Sequence, residues 1–278
     1  MSLFDETGLQ RQELTTGSKL RRAIKVARNI TPRQRRYYLH LLKLNSRVLS
    51  SVTSKGRIRW GRMVCEELSD HFQLGPDKPE PDQRIFLVTL CDRRCCTPHD
   101  ARDIDVRRFI RILRRGLRGL SYLGMLEPAY YVNVCEGLRI YGKRLVSWHL
   151  HLLVWGASRE EMKDRIERLN RDVLLPIAKG LDAAHQKCIS KGKLASKIAY
   201  MLKAPQKGYR LFKIEVMTAD GEIIPKFIQR KQDLRPGEHV TLFRLMKDNY
   251  LDRLALAGGE GANILRQLKR QVLEDLRL

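Results

Sequence analysis

Acidic residues are scarce in this chain: 31 Asp and Glu stand against 54 Lys and Arg among 278 residues, which gives a net charge of +23. A charge of this size repels itself unless an anionic partner neutralises it, and the guanidinium forks of arginine match the geometry of phosphate. Nucleic acid is therefore the leading expected partner. An anionic membrane is the alternative, but no segment pairs a basic face with the exposed Trp and Phe typical of an interfacial helix.

Long apolar runs are also missing. No stretch reaches the roughly 18 uninterrupted apolar residues that a membrane span requires. The first ten residues carry Asp5 and Glu6 rather than a basic segment before an apolar run. We therefore expect a cytoplasmic protein with no membrane partner. At 43% hydrophobic residues, the chain has enough apolar side chains to bury a core, which argues against intrinsic disorder.

Cysteine is sparse, with six residues in the whole chain. This number is too small for a disulfide scaffold and is consistent with a reducing compartment. Cys91, Cys95, Cys96 and His99 lie close together in the sequence, but their spacing matches no standard zinc signature. We therefore expect no structural zinc there.

The chain divides into segments of different character. Thr31 followed by Pro32 predicts the start of a helix, because Thr is a preferred N-cap and Pro suits the first helical position. The stretch GPDKPEPDQ at Gly75–Gln83 has three prolines and no large apolar residue, so it predicts a linker. The predicted segments are a basic helical N-terminal region at 1–75, a linker at 76–84, a core of strands and helices at 85–240, and a helical tail at 241–278.

A basic helix is predicted at Asp103–Leu120. Its apolar residues share one side, and the other side carries six arginines: Arg107, Arg108, Arg111, Arg114, Arg115 and Arg118. We take Arg107, Arg111 and Arg114 as candidate contacts to a phosphate backbone. The alternative is that this face only keeps the protein soluble.

A pair of histidines lies in the apolar stretch LVSWHLHLLVW at Leu145–Trp155. Side chains alternate along a strand, so Ser147, His149 and His151 share the face opposite the apolar one. Two imidazoles side by side, pointing away from the core, could bind a divalent metal or a phosphate. The alternative is a pair of histidines on a partly exposed strand.

A third ligand follows from the predicted register of the hairpin. If the strands at Tyr130–Leu138 and Leu145–Trp155 are joined by a two-residue turn at Gly142 and Lys143, Glu136 lies opposite His149. Directly opposed side chains are ~5 Å apart at Cβ, close enough to share one ion. The inference depends on the loop length, because a slip of one residue turns Glu136 to the other face.

The stretch Lys193–Lys207 (KLASKIAYMLKAPQK) predicts a helix whose apolar residues recur at i, i+4 and i+8, namely Leu194, Ile198 and Leu202. Tyr200 points away from that stripe and stands between Lys197 and Lys203. These lysines are expected to favour the phenolate and to hold a phosphate beside it, as a tyrosine nucleophile requires. The alternative is a surface tyrosine on a basic helix.

Together, His149-Leu150-His151, Glu136 and Tyr200-Met201-Leu202-Lys203 resemble the His-hydrophobe-His and Tyr-x-x-Lys motifs of rolling-circle replication initiators. Their superfamily of single-strand endonucleases also includes conjugative relaxases and transposases. Phe86–Leu90 (FLVTL) is similar to the first motif of these proteins. The resemblance covers about residues 85–209.

The resemblance implies an α+β fold, with a ferredoxin-like or RNA-recognition-like antiparallel sheet and helical extensions at both ends. It implies that His149, His151 and Glu136 hold Mg²⁺ or Mn²⁺, and that Tyr200 attacks DNA with help from Lys203. The products would be a 5′-phosphotyrosine and a free 3′ hydroxyl. Tyr209 lies beyond Pro205 and shares no helical face with Tyr200, so we expect a single catalytic tyrosine.

The implied partners are single-stranded or origin DNA, with a host replication helicase and polymerase. For DNA contacts we add Lys197 to the three arginines. Two rival functions remain open at this point: a basic nucleic-acid-binding protein without chemistry, and a relaxase or transposase of the same superfamily.

Overall fold

The computed structural model describes residues 6–44, 49–73, 84–99, 104–134, 144–205 and 207–277. The predicted linker at 76–84 lies outside these residues except for Arg84. Glu136 also lies outside them.

In the N-terminal part, the described residues form three helices: α1 at Glu6–Val26, α2 at Pro32–Leu41 and α3 at Ser54–His71. The predicted helix start at Thr31 is confirmed. The Gln34 N–H donates to the Thr31 hydroxyl at 3.2 Å, and the Gln34 side chain accepts from the Thr31 N–H at 3.0 Å. This reciprocal capping box satisfies two backbone donors that the first turn leaves free.

A βαββαβ unit forms the centre of the molecule. Its elements are β1 at Ile85–Pro98, α4 at Val106–Gly116, β2 at Ser121–Val132, β3 at Arg144–Trp155, α5 at Arg159–Arg168 and β4 at Ala184–Ile189. The strand order is β4-β1-β3-β2, with every neighbouring pair antiparallel. This is the ferredoxin-like arrangement, so the predicted α+β class is confirmed.

The C-terminal half adds three strands and four helices among the described residues: α6 at Leu194–Leu202, β5 at Lys207–Met217, β6 at Ile223–Asp233, α7 at Pro236–Met246, α8 at Leu251–Leu254, β7 at Ala255–Gly258 and α9 at Glu260–Arg277. Strands β5 and β6 form a hairpin that turns at Gly221 with φ of +78°. The segment after 240 thus contributes β7 to the sheet as well as helices.

Strands β5 and β7 share the outer edge of β2. Strand β7 pairs antiparallel with Tyr122–Met125, and β5 pairs parallel with Tyr130–Val132. The other edge of β2 is paired with β3 along its whole length. Strand β2 therefore lies inside the seven-stranded sheet, next to the strand that carries the two histidines.

Candidate active site

Glu127, His149 and His151 form a compact group on β2 and β3. The register of the two strands places Glu127 directly opposite His149. The Nε2 atoms of the two histidines are 3.1 Å apart, and the Glu127 Oε2 lies 3.8 Å from Nε2 of His149 and 3.4 Å from Nε2 of His151. All three ligand atoms fall within 4.8 Å of one another, as a shared metal ion requires.

The structure corrects the predicted partner of the histidines. The position opposite His149 belongs to Glu127, whereas the two-residue turn had assigned it to Glu136. Among the described residues, the last pair of the two strands is Val132 with Arg144. This register differs from the one that a two-residue turn at Gly142 and Lys143 would give. Glu136 itself lies outside the described residues. A signal for Glu127 was present in the sequence, because a carboxylate inside the apolar run YLGMLEPAYY is costly to bury unless it has a function.

The imidazoles also differ from the expectation that they would face away from the core. His149 is 8% exposed, His151 is 4% exposed and Glu127 is 7% exposed. The tyrosine helix α6 covers this face of the sheet, and the rings of His151 and Tyr200 pack with centroids 4.9 Å apart. The histidines thus lie between the sheet and α6, at the floor of the site.

Hydrogen bonds orient both imidazoles for metal binding. His149 Nδ1 faces the Ser147 carbonyl oxygen at 3.5 Å, which can only accept, so its hydrogen is on Nδ1. His151 Nδ1 lies 2.9 Å from the Thr89 hydroxyl, which accepts from Nδ1 in the tautomer that metal binding needs. Both Nε2 lone pairs then point at the position between the three ligands. A second partner on the far nitrogen is the usual way in which proteins orient metal-binding histidines.

The ligand set fits a divalent cation. Oε2 of Glu127 is buried and has no hydrogen-bond partner among the described residues. With the tautomers above, two nitrogen lone pairs and this carboxylate oxygen face each other at distances of 3.1–3.8 Å with no hydrogen between them. Three converging acceptors repel one another until a cation lies between them. Imidazole nitrogen with carboxylate oxygen suits Mn²⁺ and related divalent ions.

Burial sets the charge state of the site. Burial and, after it, the neighbouring His151 lower the pKa of His149 to about 4, so this imidazole is neutral near pH 7. Burial alone would raise the pKa of Glu127. The adjacent His151 and His149 and the charge of Lys203 outweigh burial and hold that pKa below its ordinary value. Glu127 is therefore a carboxylate, as a metal ligand must be.

Tyr200 and Lys203 stand next to the histidines. The Lys203 Nζ lies 3.5 Å from the centre of the Tyr200 ring, and the Lys197 Nζ lies 6.0 Å from it. The expected shift toward phenolate is wrong for the metal-free protein, because burial and then the charge of Glu127 raise the pKa of Tyr200. Burial also lowers the pKa of Lys203. The two lysines therefore do not suffice to ionise the phenol.

Two cavities open on either side of the histidines and Tyr200. The larger, about 450 Å³, extends over β1 and the start of β4 and includes Asp182, His185 and Gln229 in its wall. The smaller, about 120 Å³, is basic: Lys203, Lys207 and Lys231 line it together with Glu127. Both cavities reach the same catalytic candidates, so an extended ligand can pass the site from one side to the other.

Comparison with known proteins adds no relative: no protein-family model, no curated protein and no solved structure matches the chain. In the described part of the chain, no helix is both long and apolar enough to cross a membrane.

Tyr209 lies on β5, outside the helix that carries Tyr200, yet it faces the same cavities. It lines both cavities, and its ring stacks on Tyr131 with centroids 4.9 Å apart and planes 18° apart. Burial, followed by the charge of Glu127, raises the pKa of Tyr209. Tyr209 thus lines the site and is held there by stacking on Tyr131. Tyr200, in contrast, contacts both His151 and Lys203.

The arginines of α4 lie away from this site. Arg107, Arg111 and Arg114 are exposed. Burial raises the pKa of Tyr122, and the charge of Arg114 opposes that rise, so α4 lies near Tyr122. Tyr122 is five residues before Glu127 in a strand without a bulge, and an odd separation puts the two side chains on opposite faces of the sheet. The arginine face and the candidate active site are therefore on opposite sides of the sheet.

Proposed function

We propose that this protein nicks one strand of DNA by metal-dependent transesterification, with Tyr200 as the nucleophile, in the manner of a rolling-circle replication initiator. The observation that carries the proposal is the contact of Tyr200 with the candidate metal ligand His151 on one side and with Lys203 on the other. A phenol beside a metal site and a lysine has what attack on a phosphodiester requires.

The metal site is formed by Glu127, His149 and His151. A bound Mg²⁺ or Mn²⁺ would polarise the scissile phosphate and stabilise the charge that develops on it. The residues of the chain orient this site through Thr89 and Ser147, which hold the Nδ1 atoms of the histidines. Glu127 completes the ligand set from the neighbouring strand.

The chemical step belongs to Tyr200. Its oxygen forms a bond to the scissile phosphorus, and the bond from phosphorus to the 3′ oxygen breaks. The phenol loses one proton and the departing 3′ oxygen gains one, so the step is balanced. Lys203 neutralises charge on the phosphate and on the phenolate that forms during attack. The products are a 5′-phosphotyrosine and a free 3′ hydroxyl.

The ligand set favours an initiator over a relaxase. Relaxases of this superfamily carry a cluster of three histidines, whereas this site has two histidines and one carboxylate among the described residues. Three lysines in the smaller cavity support an anionic substrate strand on that side.

The test is covalent transfer of a labelled single-stranded oligonucleotide to the protein in the presence of Mn²⁺. We expect an adduct for the wild type and for Tyr209→Phe, and none for Tyr200→Phe, because Tyr200→Phe removes one oxygen and little packing. Peptide mapping of the adduct should identify Tyr200. A DNA-linked peptide that contains another tyrosine overturns the assignment. Binding without any adduct supports the alternative, a nucleic-acid-binding protein without chemistry.

A further inference from the structure

Two buried side chains of opposite charge lie on the N-terminal helices, at a place that the proposed chemistry does not use. Glu13 on α1 is 1% exposed and Arg57 on α3 is 3% exposed. Burial raises the pKa of Glu13 and lowers that of Arg57, and each charge opposes the shift of the other. A buried ion pair is weak evidence for stability, because desolvation costs about as much as the attraction returns. Stability alone therefore does not explain this pair.

Both side chains hold the C-terminal end of the tyrosine helix. The Arg57 guanidinium donates to the Leu202 carbonyl oxygen, and its Nε donates to the Ser51 carbonyl oxygen at 2.7 Å. The Ala204 N–H donates to Oε1 of Glu13 at 3.0 Å. Leu202 and Ala204 are the two neighbours of Lys203. The pair therefore fixes the peptide groups on both sides of that lysine.

The backbone at Lys203 shows why these contacts of Glu13 and Arg57, which we call the clamp, are needed. Helix α6 ends at Leu202, and Lys203 has φ −54° and ψ 140°, outside the helical range. Helix ends fray unless their free carbonyl groups find partners. Here the Arg57 guanidinium from α3 donates to the Leu202 carbonyl oxygen, and the Glu13 carboxylate from α1 accepts from the Ala204 N–H. Both helices lie outside residues 85–209. The adjacent residue on α1, Gln12, lines the smaller cavity beside Lys203.

We propose that Glu13 and Arg57 are positioning residues that hold Lys203 over the Tyr200 ring. The inference rests on the proposed function, and it assigns the N-terminal helices a role in the reaction. The clamp acts through the backbone, since Glu13 and Arg57 reach the peptide groups that flank Lys203. Small displacements of a catalytic group cost large factors in rate, so loosening this end of α6 should slow the nicking step.

Two substitutions of Glu13 separate the effect of its side-chain length from the effect of its charge. Glu13→Asp keeps the negative charge beside Arg57 but withdraws the oxygen from Ala204 by one methylene group. Glu13→Gln keeps an oxygen at the same reach and removes the charge. Ser54→Ala is the matched control: the Ser54 hydroxyl donates to the Glu13 backbone oxygen at 2.8 Å, so it links the same two helices without a bond to α6. Thermal unfolding by circular dichroism confirms that each variant is folded at the assay temperature.

The first readout is the single-turnover rate of adduct formation at saturating oligonucleotide, together with the equilibrium binding constant. We expect Glu13→Asp to lower the rate by at least about tenfold with unchanged binding, because the chemical step depends on the geometry of Lys203. Glu13→Gln should stay within about threefold of the wild type, since it keeps the bond to Ala204. Ser54→Ala should react at the wild-type rate. A full rate for Glu13→Asp, or a Glu13→Gln variant as slow as Glu13→Asp, overturns the proposal.

The second readout does not depend on activity. In protein labelled with ¹³C at lysine Cε, the Lys203 signal is assigned by its loss in Lys203→Arg, and the Tyr200 ring should shift it upfield. Glu13→Asp should reduce that shift, and Ser54→Ala should preserve it. An unchanged Lys203 signal in Glu13→Asp refutes the positioning role. If the wild type forms no adduct, the proposed function fails, and this spectrum alone decides whether the clamp positions Lys203.

Discussion

Glu127→Gln should abolish most of the stabilisation that a divalent metal confers, and Glu136→Gln should not. At a metal concentration of 100 times Kd, binding to the folded state alone stabilises a protein by about 2.7 kcal/mol. For a chain of this size, that corresponds to a rise of about 5–10 °C in Tm. The substitution keeps the shape of the side chain but removes the only carboxylate that the described residues bring to the two histidines.

The expected loss can be worked out from the same relation. If the missing carboxylate weakens binding about a hundredfold, the metal concentration equals Kd, and the stabilisation falls to about 0.4 kcal/mol. The assay is thermal unfolding by circular dichroism, with chelator and with Mn²⁺, on both variants and the wild type. A full metal-dependent shift in Glu127→Gln, or its loss in Glu136→Gln, would refute the assignment of Glu127 as the third ligand.

Further expectations concern pH and salt. The pKa of His149 is lowered from 6.5 to about 4, so the unfolded chain binds more protons in that window. The contribution of His149 to the free energy of unfolding of the metal-free protein should be complete above pH 6.5. It should fall by on the order of 3 kcal/mol toward pH 4. Urea unfolding across that range checks this, and His149→Gln should flatten the profile. With a short single-stranded oligonucleotide, Lys231→Gln should lower the slope of log K against log salt by about 0.7. Replacing Arg107, Arg111 and Arg114 with Gln should leave the salt slope for the single-stranded oligonucleotide unchanged. With an oligonucleotide that has duplex flanks, the same replacement should lower the slope by about 0.9 per lost contact. An unchanged slope with duplex means that the α4 face is only solvated.

The parts of the fold that depend on local patterns could be predicted from the sequence. The N-cap at Thr31 depends on residues within one helical turn, and the shared face of His149 and His151 depends only on the alternation of a strand. The residues that depend on distant pairing could not be found in this way. The apolar run around Glu127 marks this carboxylate as unusual, but its place opposite His149 depends on the register of β2 and β3, which no local pattern reveals.

Glu13 and Arg57 illustrate the same limit. They lie on different helices, and they meet only because α1 and α3 both pack at the end of α6. Nothing in the sequence near either residue indicates a partner 145 or 191 positions away. The predicted ionisation of Tyr200 failed for a related reason. The lysines were visible in the sequence, whereas the burial of the phenol and the nearby carboxylate depend on tertiary packing.

The divided outer edge of β2 has a consequence for truncation of the chain. Strand β7 covers this edge as far as Met125, and β5 covers it from Tyr130, so no described strand pairs with the four residues in between. One of the four is Pro128, which has no N–H to leave unpaired. The short gap opens onto the smaller cavity at Glu127. Deleting the chain from residue 255 would lengthen the gap to most of the strand and expose a long apolar edge, a template for edge-to-edge aggregation. The C-terminal segment therefore also protects β2, the strand that carries Glu127, from self-association.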